Sequence, residues 1–290
     1  MALRRPTRIS IRRAGFLGYV ALVLLARAAG GAAEESSWRP LEPGLDLGTF
    51  AAPPPSTSTD SPVHVLRIDP ERFALRLFNA SAQPQGGLQT AREWSKRFGL
   101  VAAINASMYQ ADYRRSVSLM RSRDHINNPR VSRDNAVLAF DPLDPGVPPV
   151  QIIDRTCQDF DALRQRYGTL VQSIRMISCE RANVWRPGPE QWSTAAIGTD
   201  RQGRVLFIHV QTPHSTHDLI DALLALPIDL QRAMYAEGGP EAQLYVSSGG
   251  YEQELVGTHG TSVSVAPGTM PAQPIPNVIG VARRAGRPTD

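Results

Sequence analysis

The feature that most constrains the fold is a series of ten short runs in which apolar residues are either continuous or alternate with polar ones. Valine, isoleucine, leucine and aromatic residues are frequent in these runs, and turn-forming residues separate them. A period of two residues with this composition indicates β-strands. The runs cover residues 63–69, 73–80, 100–107, 136–140, 170–178, 195–200, 204–210, 233–238, 243–248 and 278–283.

Helical patterns occur in three places, at residues 90–99, 160–168 and 215–227. In the third, Ser215 and Asp218 stand at the spacing of a capping box. Ten strands and three helices predict the α+β class, with a single domain that holds a large, mostly antiparallel or mixed β-sheet and about three helices.

The ends of the chain differ in composition from this central part. Residues 1–33 are predicted to be an export signal peptide, because arginines precede a short apolar run and small residues follow it. Residues 34–62 are rich in proline, serine and threonine and are predicted to be a linker, which leaves residues 63–285 as the folded domain. We therefore expect an exported protein, periplasmic or extracellular, with no stable membrane span after cleavage of the signal.

The net charge does not indicate a nucleic-acid partner. The formal charge is +4, but cleavage near Ala33 removes six arginines and no acid, which leaves −2. Sequence-independent binding to nucleic acid needs a basic surface on the mature domain, so we expect no nucleic-acid partner.

The sequence contains two cysteines, Cys157 and Cys179. In an oxidising compartment such a pair can form one disulfide. Two buried free thiols are the alternative, and the sequence leaves both open.

The most informative segment places an acid, two glycines and a proline at residues 237–240, between two strand-like runs. The strand at 204–210, the helix at 215–227 and the strand at 233–238 predict a β-α-β unit. Glu237 then falls at the C-terminal end of a strand, where ligand sites collect. The glycines after it allow the backbone to approach a bound group closely.

Four segments together resemble the phosphodiester glycosidase family. Residues 235–246, YAEGGPEAQLYV, resemble its Asp-Gly-Gly segment, and residues 102–109, AAINASMY, resemble its Ile-Asn-Gly-Gly-Phe/Tyr segment. Residues 134–140, DNAVLAF, and residues 193–210, which begin STAAIG, are similar to its Asn-Gly-Val and Arg-Thr-Ala-Ile-Gly segments. The order and spacing of these segments agree from about residue 63 to residue 283.

The resemblance implies a hydrolase that cleaves the glycosidic bond of a sugar 1-phosphodiester or a related envelope glycoconjugate. The chain departs from the family pattern at three points. Glu237 replaces the Asp before the two glycines, Thr194 replaces the arginine before Thr-Ala-Ile-Gly, and Ala106 and Ser107 replace the two glycines after Asn105.

Hydrolysis of a sugar 1-phosphodiester needs a carboxylate for the oxocarbenium-like transition state or its attacking water, and stabilisation of charge on the leaving phosphate. The candidate catalytic residues are Glu237, Asn105 and Asp112. The candidate substrate-binding residues are Tyr109, Gly238, Gly239, Arg121, Arg123, Arg133 and Asn135.

A rival hypothesis from another class is an exported, non-catalytic protein on the same fold that binds a glycan or a polyanion. Glu237 inside a concave pocket with an arginine opposite would favour the hydrolase, and an acid on an open surface would suit a binding protein. No cofactor is expected. No metal is expected either, because the spacing of His209, His214 and His217 matches no standard zinc pattern.

Overall fold

The computed structural model describes residues 38–51, 62–83, 87–258 and 271–284. Its strands are β1 (Trp38–Glu42), β2 (Leu45–Phe50), β3 (Val63–Ile68), β4 (Phe73–Asn79), β5 (Ala102–Asn105), β6 (Met120–Arg121), β7 (Ile126–Asn128), β8 (Ala136–Pro142), β9 (Val150–Asp154), β10 (Tyr167–Ser173), β11 (Arg175–Ile177), β12 (Trp192–Asp200), β13 (Val205–His214), β14 (Leu230–Gly238), β15 (Gln243–Ser248), β16 (Tyr251–Val256) and β17 (Asn277–Arg283). Its α-helices are α1 (Ala91–Phe98), α2 (Phe160–Leu163) and α3 (Thr216–Ala225).

The strands form three sheets in which hydrogen-bonded neighbours run antiparallel. The seven-stranded sheet has the order β1-β2-β3-β13-β12-β14-β11. One five-stranded sheet has the order β7-β6-β10-β8-β9, and the other has the order β16-β15-β5-β17-β4. The predicted α+β class with about three helices is confirmed, although the strands divide into three sheets instead of one large one.

The predicted β-α-β unit is present in a split form. β13 and β14 each pair antiparallel with β12, so they run parallel to one another with β12 between them. α3 connects them along the chain and packs on the seven-stranded sheet through Leu219, Ile220 and Leu223, which are fully buried. This arrangement brings the C-terminal ends of β13 and β14 to the same edge of the sheet.

The main hydrophobic core is shared by all three sheets. It contains Phe207 from the seven-stranded sheet, Leu138 and Val171 from one five-stranded sheet, and Ile104 and Leu244 from the other. Because alternate residues of strands such as β3 and β13 face this core, the period of two in the sequence located strands in all ten predicted runs. The strands β1, β2, β6, β7, β9 and β16 lie outside those runs.

Two details of the predicted helices are wrong. α2 ends at Leu163 instead of continuing to Gly168, because Tyr167 begins β10 and is fully buried there. The predicted capping box of α3 is absent, since the Ser215 side chain makes no capping hydrogen bond.

The predicted linker is partly folded. β1 and β2 lie within residues 34–62 and extend the seven-stranded sheet, with Leu47 opposite Leu66 of β3. Trp38 contacts Phe50 with ring centroids 5.4 Å apart, and Leu47 is 3% exposed. The linker prediction is therefore wrong for this stretch, because its alternating apolar residues bury against β3. The Pro/Ser/Thr-rich residues 52–61 and the predicted signal peptide lie outside the described residues.

Cys157 and Cys179 form a disulfide, with Cα atoms 6.7 Å apart. It joins the turn after β9 to the turn after β11. A closed loop of this length stabilises a fold by about 3 kcal/mol in the chain-entropy model. No helix in the described part of the chain is both long and apolar enough to cross a membrane.

Candidate active site

Glu237 lies near the end of β14, next to an irregularity in the strand. Tyr235 lies opposite Ala196 of β12, and Glu237 lies opposite Ala195. Ala236 has no partner of its own, which is the arrangement of a β-bulge. Bulges interrupt the alternation of side chains and often redirect a side chain beside an active site. The prediction that Glu237 stands at the C-terminal end of a strand is confirmed.

The two glycines after Glu237 occupy positions where a side chain would collide with a neighbour or strain the backbone. A Cβ atom on Gly238 would overlap the hydroxyl oxygen of Tyr235. Gly239 has φ +66°, in the left-handed region that favours glycine. It opens a 3-10 turn, Gly239–Glu241, which leads the chain into β15. The two glycines therefore shape the turn that follows the acid.

Asn105, a candidate catalytic residue, holds this turn. Its Nδ2 donates to the carbonyl oxygen of Glu241 at 2.9 Å, and its Oδ1 accepts from the N–H of Gln243 at 2.7 Å. Asn105 ends β5 and is 2% exposed. Both polar groups of its side chain thus bind backbone, which fixes the turn to the neighbouring sheet. A catalytic role for Asn105 stays a prediction.

The Glu237 carboxyl is in an environment that favours its protonated form. Burial raises its pKa to about 7, and the charge of Glu241 acts in the same direction. The N–H of Gly238 donates to Glu237 Oε1 at 3.1 Å and opposes this rise. A carboxyl that titrates near neutral pH can exchange a proton during a reaction, which an ordinary surface acid does less readily.

Glu241 is a second carboxylate at this site and is not among the residues predicted from the sequence. It interacts electrostatically with Glu237 and with Tyr109. In the sequence, Glu241 follows Glu237 by four positions, with two glycines and a proline between them. This turn-forming spacing could have indicated that the two acids lie close together. The 3-10 turn brings the second acid back towards the first.

Two tyrosines lie close enough to Glu237 for its charge to affect them. Burial and the Glu237 carboxylate raise the pKa values of Tyr109 and Tyr235 well above the ordinary tyrosine range. Both phenols therefore stay protonated at neutral pH and can donate hydrogen bonds to an anion. The structure brings the predicted binding residue Tyr109 together with Glu237, whereas Tyr235 is not among the residues predicted from the sequence.

Aromatic rings stand beside these groups. The rings of Tyr109 and Tyr113 have centroids 5.5 Å apart, and those of Trp185 and Tyr235 are 5.6 Å apart. Tyr113 is 55% exposed and has φ +54°, which is uncommon for a residue with a side chain. Residues held in sparsely populated backbone conformations cluster at active sites and ligand-binding sites.

Asp112, the other candidate catalytic acid, lies in an exposed turn. Its Oδ1 accepts from the N–H groups of Arg114 and Arg115, and its Oδ2 accepts from Arg115 Nε at 2.7 Å. These hydrogen bonds lower its pKa to about 2. The carboxylate is thus committed to the turn, and a catalytic role for it stays a prediction.

The candidate binding residues on the other loops do not converge on Glu237. The guanidinium of Arg121 donates to the backbone carbonyls of Arg164, Tyr167 and Gly168. Arg123 forms an ion pair with Asp141.

Arg133 is exposed, and Asn135 is half-buried just before β8. Within the described ranges, no hydrogen bond or ion pair joins any of these four candidates to Glu237, and their roles in binding stay predictions.

The family's arginine position is occupied by a residue that carries no charge. Thr194 is fully buried in β12 and lies opposite Gly238. Among the described residues, the groups that shift the pKa of Glu237 include Glu241 and the N–H of Gly238 but no arginine.

A groove of about 1150 Å³ lies elsewhere on the molecule. Its cationic lining consists of Arg72, Arg76, Arg123 and Arg284, and it includes neither Glu237 nor Glu241. The large groove and the candidate active site are therefore separate.

One group of potential metal ligands is found in the described part of the chain, Asp154 with Cys157 and Cys179. Both sulfur atoms belong to the disulfide and are not available as thiolate ligands. Asp154 is instead paired with Arg175 at 2.7 Å.

The fold is similar to the folds of two solved structures. The zebrafish N-acetylglucosamine-1-phosphodiester alpha-N-acetylglucosaminidase catalytic domain, auto-inhibited by its pro-peptide, superposes with a TM-score of 0.61 at 12% identity, over 86% of this chain and 87% of that one. A hypothetical protein from Synechocystis matches with a TM-score of 0.53 at 15% identity, over 83% of this chain and 62% of that one. These similarities concern the fold.

The comparison at the level of sequence gives two results. A search of curated proteins gave no match. The profile of the phosphodiester glycosidase family matches residues 98–282, which include Asn105, Thr194, Glu237 and the turn after it. The chain therefore belongs to the phosphodiester glycosidase family.

Proposed function

We propose that this protein is a hydrolase that cleaves the glycosidic bond of a sugar 1-phosphodiester or a related envelope glycoconjugate. The observation that carries the proposal is Glu237, a carboxyl with a pKa near 7 at the end of a strand, beside a second acid and two protonated phenols. Membership of the family supports the same class of substrate.

In this reaction the phosphate leaves as a stable anion, so protonation of the leaving group matters less than in ordinary glycoside hydrolysis. The ionised Glu237 stabilises the positive charge that develops at the anomeric carbon, or activates the attacking water. A carboxylate with a raised pKa is a stronger base than an ordinary glutamate, which suits the second of these roles.

The phosphate is the other centre of charge. The phenols of Tyr109 and Tyr235 are donors that stay protonated beside Glu237, and we propose that they stabilise the departing phosphate. The exposed ring of Tyr113, next to Tyr109, offers an apolar face to the sugar. In this account the tyrosines take over part of the role for which the family pattern uses arginine.

The test is the release of free sugar from a panel of sugar 1-phosphodiesters, measured for the protein and for Glu237→Gln. Glu71→Gln is the matched control, because Glu71 is an exposed acid that lines the separate groove. We expect turnover by the protein and the control, and a loss of about 100-fold or more in Glu237→Gln. Equal turnover in Glu237→Gln would remove Glu237 from the mechanism.

A non-catalytic glycan- or polyanion-binding protein is the second candidate. The observation that favours it is Thr194, a buried neutral residue where the family pattern has arginine. Binding of the panel compounds without turnover by the folded protein would support this alternative.

We also propose that the protein acts outside the cytoplasm, in the periplasm or the extracellular space. The support is the signal-like pattern of residues 1–33 and the disulfide between Cys157 and Cys179, since disulfides persist in oxidising compartments.

A further inference from the structure

A buried histidine contacts the turn that follows Glu237. His209 Nε2 lies 3.2 Å from the carbonyl oxygen of Ala242, which also accepts the N–H of Gly257 at 2.8 Å. His209 lies in β13 and is fully buried. Because a carbonyl oxygen can only accept a hydrogen bond, Nε2 carries the proton in this contact.

The same histidine is aligned with Glu237 across the sheet. His209 of β13 lies opposite Ala195 of β12, and Ala195 lies opposite Glu237 of β14. Residues that are opposite one another on adjacent strands have neighbouring Cβ atoms, and alanine keeps the middle position small. His209 is thus linked to Glu237 in two ways. It is aligned with Glu237 across Ala195 of β12, and it contacts the carbonyl of Ala242 in the turn that follows Glu237.

A histidine at this buried position destabilises the fold, because one of its ring nitrogens has no partner in the described part of the chain. His209 Nδ1 is buried and has no hydrogen-bond partner within the described residues. Burial lowers the pKa of His209 to about 3, so the ring stays neutral under ordinary conditions. A polar atom left unsatisfied in a core destabilises the fold, which an apolar side chain of similar size would avoid. The single hydrogen bond to Ala242 is what distinguishes histidine from such a side chain.

We propose that His209 is a positioning residue, which fixes the turn after Glu237 through its hydrogen bond to Ala242 and so holds the Glu237 carboxyl in its partly buried setting. Asn105 binds the residues on either side of Ala242, Glu241 and Gln243, so the two side chains hold three consecutive residues of the turn. The inference rests on the proposed role of Glu237.

The test compares two variants of His209. His209→Met keeps an apolar volume but removes the donor, whereas His209→Gln restores a donor. In His209→Met we expect the pKa of Glu237, followed by 13C NMR of labelled glutamate, to fall by about one unit as the looser turn admits water. We also expect kcat for sugar release to fall by about tenfold to 100-fold, with a smaller change in KM. His209→Gln should keep values close to those of the unaltered protein.

His64→Met is the matched control. His64 lies opposite His209 on β3, on the side away from Glu237, and its ring is also largely buried. An unchanged pKa of Glu237 is the expected result for this variant. If His64→Met and His209→Met shifted that pKa equally, a general loosening of the sheet would explain both and the proposal would be overturned.

Two further measurements distinguish failure of the positioning role from absence of enzyme activity and from failure of the variant to fold. The NMR titration does not depend on turnover, so an unchanged pKa of Glu237 in His209→Met overturns the positioning role even if the protein proves not to be an enzyme. Should His209→Met fail to fold, 15N NMR of the histidines in the unaltered protein decides instead. The proposal requires His209 to be protonated at Nε2, and a proton on Nδ1 would overturn it.

Discussion

At the scale of single residues, the protonation of Glu237 is the property from which the proposed chemistry follows. Its pKa of about 7 results from burial and from the neighbouring Glu241, against the stabilising N–H of Gly238. At neutral pH the carboxyl is therefore divided between its two forms, and both activity and stability should depend on pH in this range.

The first prediction concerns the pH dependence of activity. If the ionised Glu237 is the active form, kcat/KM for sugar release rises with pH through about 7. Removal of the Glu241 charge in Glu241→Gln should move the midpoint of this rise to lower pH, by about half a unit to one unit. Initial rates at subsaturating substrate between pH 5 and pH 9 give both midpoints. An unchanged midpoint in Glu241→Gln would show that the two acids do not interact.

The second prediction concerns stability. The pKa of Glu237 is higher in the folded state than its ordinary value of 4.5, so the folded state binds the proton more tightly and loses stability as pH rises from about 4.5 to 7. Glu237→Gln cannot ionise and avoids this loss. It should be more stable than the unaltered protein by about 1 to 3 kcal/mol at pH 8, and equally stable at pH 4. Urea unfolding at the two pH values measures the difference, and equal stability at pH 8 would contradict the raised pKa.

At the scale of elements, the turn after β14 determines where the acids lie. The sequence identified the strand, the acid and the two glycines, because their pattern is local. It did not identify Glu241, since its approach to Glu237 depends on the 3-10 turn and on the contact with Asn105 from another sheet. Tertiary contacts also decide the positions of the arginines that follow Tyr109 in the sequence: Arg121 binds the backbone carbonyl of Arg164, and Arg123 pairs with Asp141.

The third prediction tests the fit of this turn. A methyl group on Gly238 would overlap the Tyr235 hydroxyl, so Gly238→Ala should lower the free energy of unfolding by about 1 to 3 kcal/mol and reduce sugar release. The double variant Gly238→Ala with Tyr235→Phe removes the oxygen and should recover part of that stability. Chemical denaturation of the two variants and of Tyr235→Phe alone measures the coupling. No coupling between the substitutions would contradict the contact.

At the scale of the whole molecule, three antiparallel sheets share one core, and most of this architecture was accessible from the sequence. Most of the described strands were predicted, because alternate residues such as Leu66 and Phe207 face that core. The limits of the folded region and of helix α2 were not predicted correctly from the sequence. The composition of the Pro/Ser/Thr-rich stretch beside β2 predicts a linker and hides the alternating residues of that strand. The pattern of α2 predicts a longer helix, because the burial of Tyr167 in β10 is a tertiary effect.

The fourth prediction concerns the stability of the fold in acid. Burial lowers the pKa of His64 to about 4 and that of His209 to about 3, below the ordinary value of 6.5. As the pH falls, these rings bind protons in the unfolded chain at a higher pH than in the folded protein. The free energy of unfolding is therefore unaffected above about pH 6.5 and decreases as the pH falls towards 4 for His64 and towards 3 for His209. His64→Gln should weaken this acid dependence by about 2 to 3 kcal/mol between pH 7 and pH 4. Thermal unfolding across this range tests it, and identical pH profiles would contradict it.

In the proposed reaction the protein hydrolyses the bond between the anomeric carbon and the phosphate oxygen, with Glu237 as the acting carboxylate. The most direct measurement is hydrolysis of a sugar 1-phosphodiester in 18O-labelled water, followed by mass spectrometry of both products. We predict that the label enters the anomeric hydroxyl of the sugar and that Glu237→Gln abolishes its appearance. Label in the phosphate would mean that a phosphorus–oxygen bond is broken and would contradict the glycosidase assignment.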